Sequence, residues 1–410
     1  MRHKIWFGTC LLHRSTSTTS TESTEIEPDF QTLRGQKINL SFTGSETVTE
    51  SFPSHFMSSV VSYLTSFFWK PSITSSPSYG DELDLVDFNF DAILSQRSGS
   101  IRHFILDVTT FRGREAQSFP VVFDTGSEHM WLISNEYGGR IDPPRVGYTS
   151  DDTVPMLRLA TNNLDYVTTR TECEEWRSES IRVGPDRIRA SWEQPLCVSS
   201  KTTVTLKAVN GVLGADPASR LVKTFGGFWL VPQGYPRVGL SLGDKLKPFW
   251  VCRNSEMQYA HVSFLSHIWR TGATVGIANG PPIVVSARID TGVNRLYLSE
   301  SLWLDFQATL RKSGISLSRQ VPAGDYYSDK CIPSAFPTIH LKIGDFQFDL
   351  QASMYVESVE DGARCAVQIY DYPDAREGEI LVGAPVLTRV VTHWQSGILP
   401  RIGFCLPITV

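Results

Sequence analysis

The chain has 410 residues, enough for two or three domains or one large bilobal unit. Hydrophobic residues make up 41% and aromatic residues 11%, which supplies a core and excludes wholesale disorder. With 38 basic residues against 43 acidic ones the net charge is -5, which argues against the concentrated basic surface of a nucleic-acid binder.

The N-terminal region opens like a short secretory leader, with basic Met1–Lys4 followed by apolar Ile5–Leu12. Ser15–Glu25 is a low-complexity Ser/Thr tract and predicts disorder. Asn39-Leu40-Ser41 is the only N-glycosylation sequon. Met57–Trp69 is apolar but only 13 residues long, and no apolar run reaches 18, so no transmembrane helix is expected. Lys70–Gly80 reads as a Pro- and Ser-rich linker, and Asp81–Asp91 carries five acidic residues. Residues 1–97 are therefore expected to form a leader and propeptide-like segment, largely disordered.

From about Ser98 the texture changes. Short β-prone runs follow at His103–Val108, Phe119–Phe123, Ile181–Val183, Thr203–Ala208, Phe228–Val231, Val284–Ile289, Ile339–Ile343 and Gln347–Leu350. Gly, Pro, Asn and Asp bound them. Helical periodicity is clear only near Ser299–Lys312, which opens on a Ser cap. Many short strands and few helices predict an all-β protein.

An internal repeat carries the functional reading. Phe119–Asp124 runs as a hydrophobic strand into Asp124-Thr125-Gly126-Ser127, and Ile283–Ile289 runs into Asp290-Thr291-Gly292-Val293. One Asp-Thr-Gly arises by accident in a chain this long with a chance of roughly one in ten. Two copies, each after a β-run and each followed by an apolar run (Met130–Ile133, Leu296–Leu298), are a duplication. Gly211-Val212-Leu213-Gly214 and Ile380-Leu381-Val382-Gly383 each follow their copy by about ninety residues.

Two carboxylates within hydrogen-bond distance cannot both ionise, so they share one proton in mild acid. The ionised one activates a water and the protonated one donates to a scissile carbonyl. Glycine after threonine lets backbone amides approach the carboxylates. The threonine hydroxyls can reach across to the opposite loop.

These segments resemble the pepsin-like (A1) aspartic peptidases over roughly His103 to Pro407. Phe119–Leu132, Gly211–Ser219, Ala287–Trp303 and Glu379–Pro407 carry the likeness. The resemblance implies an all-β, bilobal fold: two β-barrel-like lobes, 98–243 and 244–410, with an inter-lobe sheet and an active-site cleft. It implies Asp124 and Asp290 as the catalytic dyad, with Ser127 bonded to Asp124 and with Thr125, Gly126, Thr291 and Gly292 in support. Tyr166 and Trp131 are its flap and cleft candidates. The implied function is endopeptidase hydrolysis of a peptide or protein substrate at acidic pH, by a monomer with no metal or other cofactor. The alternative is a catalytically silent relative that binds peptide or protein through the same cleft.

Seven cysteines include no C-x-x-C, and without Cys10 six remain, an even number that suits an oxidising compartment, with seven reduced thiols in a cytosolic protein as the alternative. The resemblance implies a Cys331–Cys365 disulfide in the second lobe. It leaves Cys252 with Cys405, and Cys173 with Cys197, as open pairings. Secretion or delivery to an acidic vacuolar or lysosomal lumen follows from the same likeness.

The chain also departs from the family pattern. The flap candidate around Tyr166 lacks glycines. Val293 replaces a hydroxyl residue, which should raise the pKa of Asp290. Glu128 and His129 bring charge beside the first loop, and Phe249 to Asp290 is short. The first hundred residues are net acidic, whereas a silencing propeptide offers a basic group. Gly239-Leu240-Ser241-Leu242-Gly243 matches a nucleophile elbow, but that motif needs a strand-turn-helix in an α/β sheet. His261 and His267 match no common metal spacing.

Overall fold

β-branched and aromatic runs bounded by Gly, Pro and Asn form strands where the sequence predicts them. The computed structural model describes residues 92–95, 103–112, 115–137, 146–149, 156–157, 163–165, 170–184, 190–203, 209–263, 268–319, 326–328, 330–359, 364–372 and 378–408. The leader, Cys10, the Ser/Thr tract, the sequon, Met57–Trp69, the linker, the acidic run, most of Thr203–Ala208, Tyr166 and His267 lie outside these residues.

The architecture is mostly β. A thirteen-stranded sheet contains a closed ring of six strands: Ile105–Arg112, Glu115–Asp124, Gly211–Gly214, Met130–Ile133, Ala190–Ser199 and Glu175–Val183. Pairing of Val108 with Val183 closes the ring. The same sheet continues through Ala92–Ser95, Arg237–Leu242, Gly227–Pro232, Val391–Gln395, Arg401–Cys405 and Gln258–His261, and at its other edge Met156–Leu157 pairs with Glu175–Val183. A seven-stranded sheet holds Phe346–Leu350, Ile339–Ile343, Arg270–Ile277, Ile283–Ile289, Glu379–Val382, Leu296–Leu298 and Ile369–Asp371.

The repeat in the sequence is a repeat in topology. In the first copy, Glu115–Asp124 closes a hairpin with Ile105–Arg112 and runs parallel to Gly211–Gly214. That strand is antiparallel to Met130–Ile133, which is parallel to Ala190–Ser199. In the second copy, Ile283–Ile289 closes a hairpin with Arg270–Ile277 and runs parallel to Glu379–Val382. That strand is antiparallel to Leu296–Leu298, which is parallel to Ile369–Asp371.

Beneath the two Asp-Thr-Gly loops runs a line of buried aromatics. Phe123 meets Phe228 edge-on at 5.2 Å, Phe228 stacks on Trp394 at 5.4 Å, and Trp394 meets Trp269 edge-on at 5.1 Å. Such pairs are worth about 0.5–1.5 kcal/mol each beyond their buried area. The Trp269 indole N–H donates to Ala215 O at 2.9 Å, so the start of the second copy is tied to the loop after Gly214.

The sheet begins upstream of Ser98. Ala92–Ser95, inside the segment read as leader-like, pairs with Arg237–Leu242 and at Ser95 with Ile105. Its alternation buries Ala92 and Leu94 and exposes Ile93.

The amphipathic helix is Glu300–Lys312, with Ser299 at its N-cap position. Ser299 makes no side-chain cap bond; its hydroxyl lies 3.4 Å from Ser301 Oγ instead. Leu302, Trp303, Phe306 and Leu310 bury its apolar face. The Gly239–Gly243 motif lies in and just after the continuous strand Arg237–Leu242, and Ser241 is buried opposite Trp229. It forms no strand-turn-helix. Three cysteine pairs stand at disulfide distance: Cys173–Cys197, Cys252–Cys405 and Cys331–Cys365. Cys252 is not in a regular strand but follows the helical turn Pro248–Val251 and bridges to Pro407. No described helix is long and apolar enough to cross a membrane.

Candidate active site

Each Asp ends a strand that is gripped by a parallel neighbour. Gly214 lies opposite Asp124, and Val382 opposite Ile289. Loop backbone packs directly on the glycine that ends or follows the neighbour. A methyl group on Gly214 would come within 2.6 Å of Ser127 O, and one on Gly383 within 2.3 Å of Val293 O. Backbone amides seal the arrangement. Ala215 N donates to Asp124 O at 2.8 Å, and Asp290 N donates to Val382 O at 2.9 Å.

The loops then cross. Thr125 N donates to Thr291 Oγ1 at 3.0 Å, and Thr291 N donates to Thr125 Oγ1 at 2.9 Å. The Thr291 hydroxyl donates to Phe123 O at 2.6 Å, and the Thr125 hydroxyl to Ile289 O at 3.3 Å. Both threonines are fully buried. Each side chain satisfies backbone groups of the other copy, which no interaction within one copy does.

The carboxylates face each other across this crossing. Gly126 N donates to Asp124 Oδ1 and Gly292 N to Asp290 Oδ1, each at 2.8 Å. The two carboxyl groups are within hydrogen-bond reach of each other. A methyl group on Gly126 would lie 2.1 Å from Asp290 Oδ2, and one on Gly292 would lie 2.3 Å from Asp124 Oδ1. Each glycine thus clears space for the opposite carboxylate, a role beyond the turn geometry read from sequence.

At Oδ2 the two halves differ. The Ser127 hydroxyl donates to Asp124 Oδ2. Val293 offers nothing at the matching position, and Arg288 Nη2 lies 3.1 Å from Asp290 Oδ2. The same nitrogen donates to Gly126 O at 3.2 Å. Burial and the adjacent Asp124 push Asp290 up to about 7, against the pull of Arg288 and the Gly292 amide. The direction matches the one expected from Val293, but its causes are burial and Asp124, with no contribution from residue 293. Asp290 and Asp124 hold Arg288 above its ordinary range despite its burial.

Several neighbours escaped the sequence reading. Arg288 is one of them; its signal was an Arg two residues before Asp290, on the same face of the strand. His103 packs against the second loop, and burial lowers its imidazole pKa while the Gly292 backbone contact opposes this. Asp216 is buried after Gly214 and pushed up to about 7 by burial and by Glu128. Glu128 and His129 sit 4.0 Å apart, and burial lowers His129.

Trp131 is fully buried among Ile105, Trp176, Val212 and the Cys173–Cys197 pair. Tyr166 lies outside the described residues. Among the described residues, no group of three or more His, Cys, Asp or Glu could hold a metal ion. Compared with known protein families and with characterised proteins, the sequence matches none.

Proposed function

We propose that the protein is an aspartic-type endopeptidase of the pepsin-like kind, with lobes 92–243 and 244–410 and the dyad Asp124 and Asp290 in the cleft between them. What carries the reading is the crossed pair of threonine bonds, which fixes two Asp-Thr-Gly loops with their carboxyls facing each other. Two buried carboxyls this close share one proton over a range of mildly acidic pH. The ionised carboxyl takes a proton from a bound water as the water oxygen attacks the peptide carbonyl. The protonated carboxyl gives its proton to the carbonyl oxygen. Collapse of the tetrahedral adduct breaks the C–N bond, and the amine leaves with a proton returned from the dyad. The substrate on this reading is an extended peptide or protein segment. The three cysteine pairs support secretion or an oxidising lumen.

The test is cleavage of a denatured protein between about pH 3 and 7, with and without pepstatin, by the intact protein and by Asp290→Asn. Acidic, pepstatin-sensitive turnover that disappears in the variant is expected. Its absence from a folded sample overturns the reading.

A second reading is favoured by Val293 and Arg288, since an arginine paired to Asp290 departs from a dyad held by hydroxyls. On that reading the protein is a silent member of the fold that binds peptide through its cleft. Asp124→Asn would then leave peptide binding intact while there is no turnover to lose.

A further inference from the structure

We propose that Arg288 is a positioning residue for the carboxyl pair. It sets a cation beside Asp290 Oδ2, where the other half has the Ser127 hydroxyl at Asp124 Oδ2, and its charge sets the pH range over which the pair holds one proton. The inference rests on the dyad reading above.

The argument is one of matched halves. The Oδ1 oxygens are treated alike, each accepting a glycine amide at 2.8 Å. Oδ2 of Asp124 has the Ser127 hydroxyl. Oδ2 of Asp290 has no hydroxyl from residue 293 and lies toward the Gly126 loop. Strand alternation puts Arg288 on the same face as Asp290. Its guanidinium stands 3.1 Å from that oxygen as an ion pair and donates to Gly126 O, so one side chain ties Asp290 to the opposite loop.

The charge is available for this purpose. Arg288 pairs across the hairpin with Arg270, whose own charge is matched by Glu379 at 2.6 Å. The ionisable groups around Arg288 are Arg270 and Glu379 from the flanking strands, Asp124 from the first loop, and Tyr372. Beyond Asp290 stands His103, with Arg295 near it. Asp290 is the carboxylate at contact distance. A cation there favours ionised carboxyls, so its removal moves both ionisations of the pair to higher pH.

The test is 13C titration of aspartate carboxyls in the intact chain, a readout that does not require turnover. In Arg288→Met the later dyad ionisation should move up by about one pH unit or more, the effect of an opposite charge at this range. Arg288→Lys should keep it near the wild-type value. An unmoved midpoint in folded Arg288→Met, or an equal displacement in Arg288→Lys, overturns the charge role. If Arg288→Met does not fold, Arg288→Gln keeps donors without charge and makes the same comparison.

Carboxyls that titrate as stated in a protein that cleaves nothing would sink the peptidase reading and leave this inference standing.

Discussion

Replacing Thr291 with valine keeps the shape of the side chain and removes its oxygen. Two backbone groups then lose their partners, the Thr125 N–H at 3.0 Å and the Phe123 carbonyl at 2.6 Å. Both belong to fully buried residues, so water cannot replace the lost oxygen. Each buried orphan costs about 1–3 kcal/mol, which puts Thr291→Val at about 2–6 kcal/mol. The matching change Thr125→Val orphans the Thr291 N–H at 2.9 Å but gives up only a 3.3 Å bond to Ile289 O. It should therefore cost less. Because the residues share one network, the double variant should lose less than the sum of the single losses. Urea unfolding of the four proteins measures all three quantities. On the peptidase reading, turnover in Thr291→Val should also fall at least about tenfold, since the carboxyls lose their mutual register. A loss below about 1 kcal/mol, or a larger loss in Thr125→Val, would refute the reasoning.

Opening the Cys331–Cys365 pair with Cys331→Ser and Cys365→Ser should lower stability by about 2–4 kcal/mol, read by denaturant unfolding under oxidising conditions. Asp216 and Asp290 are both pushed up to about 7, so the folded chain holds protons that the unfolded chain releases near pH 4. Stability should therefore fall as pH rises from about 4 to about 7, and Asp216→Asn should flatten that slope in thermal unfolding. A chain beginning at residue 98 lacks Ala92–Ser95, exposes the surface that buries Leu94, and opens the edge of Arg237–Leu242. It should unfold at a lower temperature than a chain beginning at residue 85, with a loss of about 2–5 kcal/mol.

Position in the sequence was a good guide wherever one local rule decided the outcome. The run Phe119–Phe123 is a strand because it is apolar, β-prone and ends on Asp-Thr-Gly; it extends to Glu115–Asp124 because its hairpin partner offers eight residues to pair. Duplication was legible for the same reason, since two like strings fold into two like strand arrangements. The residues that escaped act over long range. Trp269 reaches Ala215 across 54 positions, and Arg288 reaches Gly126 across 162. Nothing within a strand pattern announces such partners. The Ala92–Ser95 strand was hidden by its acidic and Ser-rich flanks, which made the surrounding composition look like a leader. Cys252 meets Cys405 from the helical turn that Pro248 favours, not from a strand.

The two halves share everything that positions the loops and differ in what tunes the carboxyls. The crossed threonine amide bonds and the glycine amides are duplicated to within about a tenth of an ångström, at 3.0 and 2.9 Å and at 2.8 Å twice. A fold that only needed two loops held together would be served by this shared set. The Oδ2 oxygens break the symmetry, with a neutral hydroxyl on one side and a cation on the other. A shared proton responds to that difference, because the two carboxyls no longer have equivalent environments. The asymmetry therefore lies at the atoms where proton transfer would occur. An arginine placed only for stability could pair with any buried acid nearby, and Glu379 was within its electrostatic reach. Arg270 occupies that acid at 2.6 Å, which leaves Arg288 at Asp290, where it acts on the titration of the pair.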